Sequence, residues 1–341
     1  MASVAEVEAM RRALELAASP GPMPGPNPRV GCVILDADGR IVAEGVHRGA
    51  GTPHAEADAL RHAGDKARDA TAVVTLEPCD HHGRTPPCSQ ALIDNGIARV
   101  VFAQADPHAV AAGGARRLTE AGVRVEGGVL ADSARALNEA WTIAVERRRP
   151  FVTWKVAASL DGRVAAVDGS SRWISGEASR AQVHDLRAEV DAVLVGTGTV
   201  VVDDPHLTVR RADGTLADRQ PLRVVMGTRP LPETSRVFDA TAPTLRLQTR
   251  DPREALAALH DREIRHVLLE GGPTLAAAFI RSSLVDRVRW YVAPVVLGAG
   301  APAVGDLGIE SIAQALRLTE VRVDQVGEDA RIQGIVSGPE A

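Results

Sequence analysis

Apolar residues in the first part of the chain fall in short runs, separated by stretches where they recur every three or four places. RVGCVIL (29–35) and RIVAEGVH (40–47) read as strands joined by the turn Asp36-Ala37-Asp38-Gly39. AVVTL and RVVFAQAD have the composition of buried strands. PHAEADALRHAG predicts a helix capped by Thr52 with Pro53 at its first position, and PPCSQALIDNG predicts another proline-started helix. ARRLTEAGV predicts a short helix and ADSARALNEAWTIAVERRR a single long one. Strands interleaved with helices predict an α/β layer sandwich.

The charged, proline-ended ERRRP (146–150) marks a boundary between a domain at 1–146 and a second at 150–341. Past it, FVTWKVAAS, DAVLVG, PLRVVMG, HVLLEGG and RWYVAPVVLG read as strands, with helices at GEASRAQVHDLRAEV and PTLAAAFIRSS. LTEVRVDQVGEDARIQGIVSG predicts a closing hairpin. The second domain is α/β as well, and richer in strand.

Composition narrows the function classes. The chain has 341 residues, 45% of them hydrophobic and 24% charged, as in an ordinary globular protein. Its net charge of −5 and 3% aromatic content argue against a nucleic-acid surface. No apolar run approaches the roughly 20 residues of a membrane helix, and MASVAEVEAMRRALELA reads as an amphipathic helix rather than a signal peptide. Three cysteines offer no disulfide framework. The expected compartment is the reducing cytoplasm, where thiolates remain free to bind metal.

Candidate chemistry then concentrates in two segments, TPHAEADAL and TLEPCDHHGRTPPCSQAL. His54 and Glu56 stand at a helix start, Cys79 follows a strand, and Cys88 opens another helix, where the helix dipole favours the thiolate. One histidine and two cysteines leave a fourth tetrahedral position for water, as catalytic rather than structural zinc sites do. Zinc lowers the pKa of that water, and a carboxylate beside the metal can move its proton. H-x-E with P-C-x-x-C is the signature of zinc deaminases. Here eight residues separate the cysteines, so spacing alone leaves His81 or His82 open as ligands. Cys32, inside an apolar strand, reads as core.

PNPRVGCVI, TPHAEADAL and TLEPCDHHGRTPPC together resemble the deaminase half of the bifunctional riboflavin-biosynthesis deaminase/reductase family, in which the long C…C loop recurs. KVAASLDGR, SRWIS, GTGTVVVDDPHLTVR, EGGPTL and YVAPVVLG extend the resemblance over nearly the whole chain. It implies a cytidine-deaminase-like three-layer sandwich followed by a dihydrofolate-reductase-like domain. It also implies zinc on His54, Cys79 and Cys88 with Glu56 as proton shuttle, and Asn27, His47, His81 and Arg84 as substrate contacts. Asp80 departs from the family's usual serine, and DPHAVAAGGA (106–115) lacks the family's second proline and basic residue.

The second domain has no G-x-G-x-x-G after a strand. It does carry strand-end glycines at Gly196, Gly198, Gly271 and Gly272, which allow close backbone approach to a phosphate. By the resemblance, NADPH is held by Ala157, Trp173, Thr199, Asp203, Thr228 and the segment Gly272, Pro273, Thr274 and Leu275. The substrate is held by Ser171, Arg187, Leu207, Arg210 and Glu270, with Lys155 and Asp204 close by and counted, with Glu270, as catalytic. Gly227 stands where the family usually shows aspartate. Lys155 draws attention independently. Only it and Lys66 are lysines, and a cation among apolar strand neighbours needs a counter-charge.

These readings imply a two-step enzyme. It would deaminate 2,5-diamino-6-ribosylamino-4(3H)-pyrimidinone 5′-phosphate and then reduce the ribosyl side chain to ribityl, using one zinc per chain and NADPH. Its partners would be a small-molecule nucleotide and further copies of itself, as a dimer or tetramer, with no nucleic acid and no membrane. Two other classes compete. One is a nucleoside- or tRNA-editing deaminase with an accessory nucleotide-binding domain; the other is a non-catalytic nucleotide-binding module with structural zinc, which release of ammonia excludes.

Overall fold

The computed structural model describes residues 1–19, 25–81, 86–108 and 111–337. The chain splits into two compact units, Met1–Arg148 and Arg149–Ala341.

In the first unit the elements run α1 (Val4–Ala18), β1 (Gly31–Leu35), β2 (Ile41–Val46), α2 (Ala55–Ala63), β3 (Thr71–Leu76), α3 (Cys88–Asp94), β4 (Arg99–Gln104), α4 (Gly114–Glu120), β5 (Arg124–Gly127), α5 (Ala131–Leu137) and α6 (Glu139–Arg147). The sheet order is β2-β1-β3-β4-β5, with β1 antiparallel to both neighbours and β3, β4 and β5 parallel. Alternate residues of each strand enter different cores. Cys32, Val74 and Val100 pack with Ala59, Leu92 and Leu118 of α2, α3 and α4, whereas Val33, Val73 and Val101 pack with Met10 of α1 and Ala134 of α5. The result is the expected three-layer sandwich, and both faces are apolar because both are covered.

Two local expectations are corrected. The long helix breaks at Asn138 (φ −108°, ψ 19°), because its amide is spent on a strand start: Arg29 N donates to Asn138 Oδ1, and Nδ2 donates to Arg29 O, both at 2.8 Å. Thr52 does not cap α2. Its hydroxyl donates to Gly49 O at 2.7 Å, and His54 itself is the N-cap, in extended conformation. That conformation places the histidine at the helix mouth. Gly45 of β2 lets α2 lie close, since a Cβ there would sit 2.2 Å from Ala55 O and 2.3 Å from Ala59 N.

The second unit runs β6 (Phe151–Ser159), β7 (Arg163–Ala165), α7 (Glu177–Glu189), β8 (Ala192–Gly196), α8 (Thr197–Asp203), β9 (Leu222–Met226), β10 (Thr244–Leu247), α9 (Pro252–His260), β11 (His266–Leu269), α10 (Pro273–Arg281), β12 (Arg287–Ala293), β13 (Ala301–Pro302), β14 (Arg317–Val326) and β15 (Asp329–Ser337). Its main sheet has the order β10-β9-β8-β11-β6-β12-β15-β14. β10 through β12 are mutually parallel, and β15 and β14 form the expected antiparallel hairpin at one edge. Ala192 and Leu194 of β8 face one core while Val193 and Val195 face the other, so the parallel strands are buried on both sides. Ligands of open parallel sheets bind beyond the carboxyl ends of the strands. The strand-end glycines lie along that edge.

Candidate active sites

In the first unit, α2 presents His54 from its N-cap, β3 leads into Cys79, and α3 opens on Cys88. His54 Nδ1 lies 3.6 Å from Cys79 Sγ and 3.3 Å from Cys88 Sγ, and the three donor atoms lie within 4.8 Å of one another. A tetrahedral zinc with ordinary Zn–N and Zn–S lengths has N···S edges of about 3.6 Å, so the donor set fits the metal. Cys79 and Cys88 are buried. The Cys88 thiol, then His54, draw Cys79 down to about 4 against its burial. The Cys88 amide also donates to Cys79 Sγ at 3.4 Å. Glu56 is 4% exposed and does not belong to the donor group. Burial, then the charge of Cys79, push its carboxyl up to about 7.

A tether joins the residues that follow the two cysteines. Ser89 Oγ donates to Asp80 Oδ1 at 2.7 Å, and Arg117 Nη1 of α4 stands 3.4 Å from the same oxygen. Ser89 N donates to Cys79 O at 3.1 Å, and Asp80 N to Ala111 O at 3.0 Å. Glu77 secures the loop ahead of α4 by accepting from the amides of Asp106, Gly113 and Ala115. Sequence reasoning missed Glu77, Ser89 and Arg117. For Glu77 the available signal was its position two residues before the first cysteine.

Of the expected substrate contacts, Asn27 and His47 come together. Asn27 Nδ2 donates to His47 Nε2 at 2.9 Å, and His47 Nδ1 donates to Pro53 O at 2.9 Å, which fixes the neutral tautomer. Burial holds the His47 ring below the usual histidine range. Its centroid lies 5.3 Å from that of His54. His81 Nδ1 is buried without a hydrogen-bond partner among the described residues. Arg84 lies outside the described residues.

The second unit carries a cavity of about 690 Å³ along the carboxyl edge of its parallel strands. This volume suits a nucleotide-sized ligand. Register puts Leu269 of β11 opposite Trp154 of β6, so Glu270 and Lys155 become neighbours, with Lys155 Nζ 4.0 Å from Glu270 Oε2. Arg187 of α7 grips the same carboxylate with both arms, Nε to Oε1 at 2.6 Å and Nη2 to Oε2 at 2.9 Å. Burial pushes Glu270 up, but Arg187 and then Lys155 more than offset it, and the net direction is down. Burial lowers Lys155, opposed by Glu270.

Lys155, Ala157, Ser171, Thr199, Asp203, Thr228, Glu270 and Gly272 to Leu275 all line this cavity. Other expected contacts do not reach the lining. Asp204 turns away, its Oδ1 accepting from Arg236 N at 2.8 Å and its Oδ2 3.3 Å from Arg236 Nε. Trp173 is exposed and holds Arg180 over its ring, 4.6 Å from the centroid. Leu207 is buried in the core beneath α7 and β8, and Arg210 Nη1 donates to Gly214 O in its own loop. Arg187 reaches the cavity only through Glu270.

Together these sites define a class: a zinc deaminase module and a nucleotide-dependent reductase module on one chain. Comparison with known proteins agrees. Residues 4–104 match the cytidine and deoxycytidylate deaminase zinc-binding region, and residues 150–332 match the RibD C-terminal domain. The chain is 52% identical to the riboflavin biosynthesis protein RibD of Mycobacterium tuberculosis over 306 residues, covering 89% of each. It is 41% identical to that of Escherichia coli, covering 94% of this chain and 96% of the relative. The solved Acinetobacter baumannii RibD superposes with a TM-score of 0.91 at 39% identity, covering 98% of this chain and 99% of that one. A deaminase/reductase from Thermotoga maritima superposes with a TM-score of 0.85 at 33% identity, again covering 98% and 99%. The chain belongs to the RibD family of bifunctional riboflavin-biosynthesis enzymes, with a zinc-dependent deaminase of cytidine-deaminase type and a reductase that uses NADPH.

Proposed function

We propose that the chain acts in sequence on one nucleotide, as the name of the Thermotoga protein describes: deamination of a diaminohydroxyphosphoribosylaminopyrimidine, then reduction of the resulting 5-amino-6-(5-phosphoribosylamino)uracil. Residues 1–146 carry the first step and residues 150–341 the second. The convergence of His54, Cys79 and Cys88 beside a buried Glu56 supports this most directly.

Zinc, when held by these three side chains, supplies an activated water. Glu56, buried beside these donors, would hold a proton at its carboxylate and pass it from the attacking water to the departing amine; proton transfer of this kind is worth about 10²–10⁴-fold. Asn27 and His47, whose ring tautomer is fixed by its two hydrogen bonds, orient the pyrimidine; His81 and Arg84 are further substrate contacts, Arg84 for the phosphate. In the second module NADPH, when bound, supplies the hydride. Ala157, Thr199, Asp203, Thr228 and Gly272 to Leu275 hold the cofactor. Lys155 and Glu270 meet the ribosyl group, Ser171 binds beside them, and Arg187 positions Glu270. Asp204, Leu207, Arg210 and Trp173 shape the surrounding loops.

The proposal extends to a cytoplasmic homo-oligomer. Val321 and Val323 of the edge strand β14 are 51% and 66% exposed, apolar surface of the kind that pairing of copies covers. Light scattering on the purified protein tests this. The two-step activity is tested by supplying the diaminopyrimidine nucleotide with and without NADPH and following products by mass. The expected result is deamination alone in the first case and the ribityl product in the second. Reduction without prior loss of ammonia would overturn the order.

A further inference from the structure

The cavity of the second unit has cations at two places, and among the described residues only one of the two has a paired protein anion. Beside β6 and β11, Lys155 and Arg187 share Glu270. Two further cations line the cavity, Arg229 just after β9 and Arg250 just after β10. Both are exposed, and neither has a hydrogen bond or ion pair among the described residues. Among the described residues, the carboxylates that line the cavity are Asp203 and Glu270. Nearby acids are already engaged: Glu254 accepts from the Thr249 hydroxyl, Asp251 caps α9 and Glu233 pairs with Arg246. Neighbouring arginines do find partners, Arg223 on Asp239 and Arg236 on Asp204. Arg229 and Arg250 are therefore cations on a cavity wall with no protein anion paired to them among the described residues.

Their place along the sheet says which anion fits. The order β10-β9-β8-β11-β6 puts β9 three strand spacings from β6, about 14 Å. That span separates the two ends of an extended dinucleotide. The middle of the edge holds the glycine turns at Gly196–Thr199 and Gly271–Gly272, suited to a pyrophosphate. Gly227 keeps the path open: at φ 132° it has no Cβ, and one built there would meet Thr197 Oγ1 at 2.9 Å. The arginines lie beyond this midpoint, on the side away from Lys155 and Glu270.

We propose that Arg229 and Arg250 hold the 2′-phosphate on the adenosine ribose of the cofactor and are the residues that select NADPH over NADH. The proposal rests on the reading of this cavity as the cofactor site. A guanidinium pairs with a phosphate through two parallel hydrogen bonds and stays charged at every working pH. NADH leaves the two cations unpaired, so discrimination is gained without any repulsive residue.

Isothermal titration of the full-length, zinc-loaded protein separates the possibilities, with 2′,5′-ADP and 5′-AMP as probes. Wild type is expected to bind 2′,5′-ADP more tightly. Arg229→Gln and Arg250→Gln should each weaken 2′,5′-ADP about tenfold, the value of one charge-assisted contact at a wet surface, and leave 5′-AMP unchanged. The double variant should bind both probes alike. In turnover, KM for NADPH should rise while KM for NADH and both kcat values hold. Thermal unfolding should be unaltered, since both side chains are exposed. If the two probes weaken together, the arginines hold the 5′-phosphate and the assignment is overturned; if neither moves, it is overturned as well. A wild-type protein that binds neither NADPH nor NADH sinks the cofactor reading, and this one with it.

Discussion

At the scale of single residues, the chemistry of the first module was more legible than its support. H-x-E and the two cysteines name donor types directly, and chemistry limits what such a set can bind. Spacing could not separate Cys88 from His81 or His82 as a ligand; His82 lies outside the described residues, and among those described Cys88 Sγ, 3.3 Å from His54 Nδ1, joins the donor group and His81 does not. The tether of Asp80, Ser89 and Arg117 was not legible, because hydrogen bonds between distant positions depend on the fold. In the second module Lys155 was singled out as a cation needing a counter-charge, and Glu270 supplies it at 4.0 Å. Asp204 was expected beside it, but a side chain at the end of α8 can turn either way, and this one turns to Arg236. The residue that tests the zinc site best is Glu56, which is buried beside the metal donors and outside their set. Glu56→Gln keeps the size and removes the proton acceptor. It should retain one zinc per chain by elemental analysis and lose ammonia release by about 10²–10⁴-fold. Zinc lost along with activity would make Glu56 a ligand and end its role as shuttle.

At the scale of elements, the hydrophobic period located the strands of both sheets and the helices between them. It misplaced their joints. Asn138 breaks α5 from α6 for the sake of a strand start more than a hundred residues away, and no local pattern contains that partner. Thr52 and Pro53 looked like a helix start, but α2 begins later, with His54 extended at its mouth. Function depends on that joint, because α2 carries both His54 and Glu56. The helix is held against β2 at Gly45, where a Cβ would lie 2.2 Å from Ala55 O. Gly45→Ala must push α2 away by its own backbone, since the obstructing atoms belong to the main chain. Overpacking of this kind costs about 1–3 kcal/mol. The expected outcome is a lower unfolding midpoint for the deaminase module and weaker zinc retention against a chelating dye. A variant with wild-type zinc affinity would show that the approach of α2 to β2 does not position the metal donors.

At the scale of the whole molecule, each unit builds its own cores. Clusters around Ile34, Val74 and Met10 draw only on the first unit, and those around Leu194, Trp154 and Tyr291 only on the second. The sequence expectation of a boundary rested on the charged ERRRP segment, where Glu146, Arg147 and Arg148 are exposed. The metal donors come from α2, α3 and the end of β3, and the reductase cavity from the strand ends of the second sheet. The two chemistries should therefore separate. Prolonged chelation of zinc should abolish deamination, because His54, Cys79 and Cys88 then have nothing to activate water with. The same sample, given pre-deaminated nucleotide and NADPH, should reduce it at nearly the untreated rate. Cys79→Ser should repeat the pattern without chelator, which removes any effect of the chelator itself. If reduction falls in step with deamination while circular dichroism reports an intact fold, the division of labour at the boundary is wrong, and the metal site must influence the second cavity.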